Sequence, residues 1–119
     1  TALLEETAFR AVLLAVVADG WGWTWGVVVS SVVFGFWHVL PAFEFHENNE
    51  AAAGVLGDGW RAQATSVVLT VLGTGAAGVG FCVLRGLSGS LFPPMVLHAA
   101  LNGIGLAVTW AFARRLRDI

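Results

Sequence analysis

The chain has 119 residues, 57% of them hydrophobic and only 12% charged, with a formal net charge of −2 and no lysine. Soluble domains run near 45–50% apolar and about 25% charged. So little charge cannot cover a water-facing surface, which excludes a soluble globular domain and a disordered segment, and the missing basic footprint excludes a nucleic-acid binder. One cysteine, Cys82, excludes an internal disulfide framework and a multi-cysteine zinc site. The composition predicts an all-α, polytopic transmembrane helical bundle, forming a single domain over 1–119.

Four apolar segments follow in chain order, each judged against the roughly 20 residues a spanning helix needs. The first, Thr1 to Ala18, is helical in pattern from its start. It has no basic leader or cleavage site, so it is not a signal peptide. It reads as part of a longer polytopic protein, with further N-terminal helices as its expected partners. The second runs from Trp21 to Leu40 and is expected to stop before Pro41, which disfavours helix at the preceding residue. Gly22 and Gly26, then Ser31 and Gly35, give it small-xxx-small spacing. A polar stretch from Ala42 to Gln63 follows, holding Glu44, His46, Glu47, Glu50, Asp58 and Arg61, and reads as a solvated connection. The third segment, Ala64 to Leu87, carries Gly73, Gly75, Gly78 and Gly80, and such small residues let helices approach closely in lipid. It is expected to be the central packing helix. The fourth runs from Phe92 to Ala113, with Pro93 and Pro94 tolerable only in its first turn. About four membrane helices are therefore expected.

Orientation follows from Arg114, Arg115 and Arg117, because positive charge favours the cytoplasmic side. The C-terminus and the polar connection are then cytoplasmic. Trp21, Trp23 and Trp25 form an outer aromatic belt, and Trp60 and Trp110 an inner one.

Six polar residues interrupt the apolar segments: Glu5, Glu6, Arg10, His38, His98 and Asn102. Insertion scales put Asp, Lys and Arg at about 2.5–3.5 kcal/mol each at a helix centre. Such residues mark functional sites by default. Glu6 and Arg10 are four apart with the acid first, the favourable order for an ion pair. Glu5 then lies about 100° around the helix, free to face a cavity as a general base. His98 and Asn102 are also four apart and share a helix face. Phe34 sits one turn before His38. By helical rise, His38 stands roughly 25 Å in from Trp21 and His98 roughly 10 Å in from the outer end of its helix. The two share a site only if the helices tilt, or the fourth starts deeper. A separation above about 12 Å would defeat a shared site, being far beyond reach through one water.

The polar residues fall into three ordered motifs. Glu5-Glu6-Thr7-Ala8-Phe9-Arg10 reads EExxxR, Phe34 to His38 reads FxxxH, and His98 to Asn102 reads HxxxN. Together these resemble the CPBP (Abi) family of intramembrane proteases, which includes the type II CAAX prenyl endopeptidases. The stretch Arg85 to Leu91 is similar to the turn that family places before its HxxxN helix. The likeness runs from Thr1 to about Trp110, and the family normally has several helices before EExxxR.

The resemblance implies an intramembrane endopeptidase of a bacterial or archaeal plasma membrane. Its substrate would be a membrane-associated peptide or protein, either a prenylated CaaX tail or a bacteriocin-like peptide. By the same resemblance Glu5 and His38 activate water, and His98 and Asn102 hold the oxyanion. Glu6 and Arg10 fix and tune Glu5, and Phe34 walls the cavity. Zinc remains open, since Glu5, His38 and His98 could supply a His₂Glu set with a water position. HExxH is absent, and Arg10 beside the carboxylates repels a dication, so no metal or other cofactor is the expectation. Two alternatives stand beside this one: a non-catalytic scaffold or immunity protein of the same fold, and a bundle in which His38 and His98 ligate a haem.

Overall fold

A computed structural model describes residues 1–48, 54–57 and 59–117. Glu50 and Asp58 lie outside the described residues, as do the side chains of His46 and Glu47. Among the described residues the chain is helical throughout its length, without strands.

The first helix is one continuous rod with a widened middle. Helix α1 (Ala2–Glu6) passes into a π-helical segment (Thr7–Leu13) and then into α2 (Leu14–Trp21). The Leu14 N–H reaches back five residues to the Phe9 carbonyl, the signature of the wider coil. Gly22 ends the rod at φ 88°, a conformation that a residue with a Cβ rarely adopts. Helix α3 (Trp23–Trp37) then folds straight back along α2. Gly26 permits the close return, because a Cβ there would lie 3.0 Å from the Leu14 carbonyl and from Ala18 Cβ.

Helix α3 does not stop at Pro41 as the sequence predicts. It ends at His38, whose φ of −89° and ψ of 4° break the helix for one residue. Helix α4 (Val39–Asn48) resumes at once, with Pro41 inside its first turn. First-turn N–H groups have no intrahelical acceptor, so the proline forfeits little there. The polar connection is correspondingly shorter than Ala42 to Gln63. Helix runs to Asn48, and α5 (Trp60–Ser88) starts four residues before the expected Ala64.

Gly89 closes α5 in the left-handed region at φ 66°, its N–H returning to the Arg85 carbonyl. The Ser90 hydroxyl then accepts the Phe92 N–H and opens α6 (Phe92–Arg117). Pro93 and Pro94 fall in that first turn, as expected.

Among the described residues three helical stretches are long and apolar enough to cross a membrane: Trp23–Phe45, Trp60–Ser88 and Phe92–Arg115. The first rod, expected as a fourth, is not among them. Its interior carries Glu5, Glu6 and Arg10, and Glu6 and Arg10 are fully withdrawn from the surface. Large apolar side chains cover the outside instead, including Leu69, Leu72, Leu101 and Leu106. Such a surface suits lipid and not water.

The α3–α5 contact is the tightest seam, and glycines decide where it closes. A Cβ on Gly35 would stand 2.8 Å from the Val71 carbonyl oxygen, and one on Gly78 would meet Arg10 Nη2 at 3.0 Å and Phe34 at 3.2 Å. Gly73 and Gly80, in contrast, meet nothing within 4 Å. Gly35→Ala is therefore expected to lower stability by about 1–3 kcal/mol through overpacking. Gly73→Ala should be neutral or stabilising, since alanine is the better helix former. Melting of the two variants in detergent distinguishes them, and equal effects would contradict this seam.

Candidate active site

Four elements deliver five of the polar residues to one place. Glu5 and Glu6 come from α1, Arg10 from the π segment, His38 from the end of α3, and His98 from the second turn of α6. Glu6 is completely buried and Arg10 is 1% exposed. Their ion pair forms as the spacing predicts, with Nη1 3.2 Å from Glu6 Oε1. Among the described residues no nitrogen of the Arg10 guanidinium meets full hydrogen-bond geometry, although Glu6 and Cys82 both lie beside it. Charge and ring faces hold it instead, for its central carbon lies 4.1 Å from the Phe34 centroid and 4.9 Å from that of Phe81. Desolvated cation–π contacts of this kind are worth about 2 kcal/mol. Gly78 leaves the room that the guanidinium fills.

The two histidines converge on Glu5. His38 Nε2 lies 3.7 Å from Glu5 Oε2, and His98 Nε2 lies 3.5 Å from the same oxygen. The roughly 12 Å limit on a shared site is comfortably met. Part of the offset in depth is removed by the His38 ring itself. It leans back one turn, and its Nδ1 reaches the Phe34 carbonyl at 2.8 Å, the direction in which helical side chains tilt.

These contacts assign the ring protons. A carbonyl oxygen can only accept, so His38 Nδ1 donates to Phe34. His98 Nδ1 donates to the ionised Glu6 Oε1 at 2.7 Å, a charge-assisted hydrogen bond. A neutral ring held this way turns an Nε2 lone pair, and a protonated one an N–H, toward Glu5 Oε2, itself buried without a hydrogen-bond partner among the described residues. Three acceptors so close are favourable only with a proton shared among them. A carboxylate between two imidazoles is thus arranged to take a proton from a water and pass it on.

Aromatic rings wall this space. Phe34 sets its edge 4.6 Å from His38 and 5.6 Å from His98, centroid to centroid. Phe81 stacks on His98 at 5.0 Å and 17°. Phe9, Phe34 and Phe81 form the buried cluster beneath. Asn102 is not brought into the group. It is exposed one turn beyond His98, without a hydrogen-bond partner among the described residues. Among the described residues no three His, Cys, Asp or Glu side chains are set as a metal cage.

Sequence reasoning missed Phe81, Ser30 and the π segment. Ser30 is wholly buried and donates to the Phe9 carbonyl at 2.8 Å, binding α3 to the widened turn. The neighbouring Ser31 was read only as a small residue.

Comparison with family models matches residues 1–104 to the family described as type II CAAX prenyl endopeptidase Rce1-like. Comparisons with curated proteins and with solved structures give no match. The match spans EExxxR, FxxxH and HxxxN together, and two of the three stretches apolar enough to cross a membrane, Trp23–Phe45 and Phe92–Arg115, carry FxxxH and HxxxN. An integral membrane protein of protease type, acting on a peptide or protein, follows from these two findings, and the chain belongs to the type II CAAX prenyl endopeptidase Rce1-like family.

Proposed function

We propose that the chain is an intramembrane endopeptidase in which Glu5 and His38 activate a water, while His98 and Asn102 receive the oxyanion. The convergence of both Nε2 atoms on Glu5 Oε2 carries this reading. Glu5, aided by His38, takes a proton from water as the oxygen attacks the scissile carbonyl carbon. The carbonyl oxygen becomes an oxyanion. With Glu6 opposite Nδ1, His98 can hold a second proton on Nε2 and donate it there. Asn102, accessible one turn on, is the second donor. The proton taken from water goes to the leaving nitrogen as the C–N bond breaks. Preorganised donors of this kind are each worth about 10²–10³ in rate.

The substrate is a membrane-associated peptide or protein, of prenylated CaaX or bacteriocin-like type. The C-terminal arginines are read as cytoplasmic by the positive-inside rule. The mechanism is read as glutamate-dependent and free of metal, because the Arg10 charge beside the carboxylates disfavours a dication. Cleavage of a panel of lipidated and unlipidated peptides by the reconstituted protein tests the reading. Cleavage should persist undiminished in a zinc chelator. Loss with chelator and recovery with added zinc would replace the metal-free mechanism by a zinc one.

A further inference from the structure

Arg85 stands outside the site just described. It lies in the last turn of α5, and its Nε is buried without a hydrogen-bond partner. Among the described residues the side chain has no ion-pair or ring partner either. It shares a cavity of about 250 Å³ with Arg10, Leu14, Ala15, Trp23 and Gly86. The Arg10 charge is already offset by Glu6, so this cavity keeps one uncompensated positive charge. Arg85 is partly buried, with its Nε covered, and a cation partly withdrawn between apolar walls is the costlier for lacking a counter-charge. The Trp23 ring lies on Gly86, where a Cβ would come within 2.8 Å of it. On that same ring and glycine abuts a second hollow of about 360 Å³, lined otherwise by Val83 and Leu87. A cationic cavity beside an apolar one is the shape of an amphiphile with a singly charged anionic head.

We propose that this pair of cavities binds an anionic membrane phospholipid, its phosphodiester on Arg85 and an acyl chain along Val83 and Leu87. A phosphodiester monoanion supplies the single charge that Arg85 lacks, and Trp23 is a residue type that sits at headgroup depth. The proposal rests on the membrane reading but not on peptidase chemistry.

Native mass spectrometry of the purified full chain tests it, with phosphatidylglycerol and phosphatidylcholine of matched acyl chains offered together. Wild type is expected to retain phosphatidylglycerol about fivefold over phosphatidylcholine, the factor for one arginine near a headgroup. Arg85→Gln should abolish that preference and Arg85→Lys should keep part of it. Inorganic phosphate should fail to displace the lipid. Val83→Trp, which fills the apolar hollow and spares both arginines, should lower retention even if Arg85→Gln does not fold. Equal retention of the two lipids by wild type would overturn the proposal. So would undiminished preference in a folded Arg85→Gln protein, or displacement of the lipid by phosphate alone.

Discussion

Glu5→Gln is expected to lower peptide cleavage by about 100- to 10,000-fold, the usual share of a positioned general base, with little change in stability. Glutamine keeps the shape and the polar oxygen but cannot accept a proton at neutral pH. Glu5 carries no structural ion pair with arginine, since Arg10 Nη1 pairs with Glu6 instead. Loss of its charge therefore leaves no cation uncompensated. Rates measured on reconstituted wild type and variant, beside melting in detergent, separate catalysis from folding. Unchanged cleavage would reject Glu5 as base, and absence of cleavage in wild type would favour the scaffold alternative.

Arg10→Met is expected to destabilise the protein by about 3–5 kcal/mol, because it leaves a fully buried Glu6 without its cation. Methionine fills much of the space between Phe34 and Phe81, so cavity formation is a minor part of that cost. The double variant Glu6→Gln/Arg10→Met removes both charges and should regain a good share of the stability. It should not regain activity, since glutamine cannot make the charge-assisted bond that fixes the His98 proton. Stability recovered without activity identifies the pair as positioning residues. Arg10→Met as stable as wild type would contradict the ion pair.

How much of this was legible in the sequence depended on whether the signal was chemical or geometric. Glu5, Glu6 and Arg10 stood out because charge is expensive in an apolar helix, and four-residue spacing gave the Glu6–Arg10 pair directly. His38 and His98 were equally visible. Their meeting on one oxygen was not, because it needs the backward lean of the His38 ring as well as the crossing of helices. The π segment has no compositional mark, so nothing in Thr7 to Leu13 announces the wider coil. Phe81 looked like any lipid-facing residue of a glycine-rich helix, although it stacks on His98. Pro41 is compatible with both the end of one helix and the first turn of the next, and only the latter occurs. The glycines were correctly read as packing residues in Gly35, Gly75 and Gly78, but Gly73 and Gly80 face open space. Small residues permit an approach without specifying which of them is approached. Asn102 shares the predicted face with His98 yet stays exposed.

The central claim is that Glu5 and His38 act as one unit on one water. A double-mutant cycle on cleavage rate measures this most directly, using Glu5→Gln, His38→Ala and the combined variant in the same bilayer. Residues that act together are strongly non-additive. The combined variant is therefore predicted to be no slower than the slower single variant. Losses that multiply, as for independent sites, would contradict the shared unit.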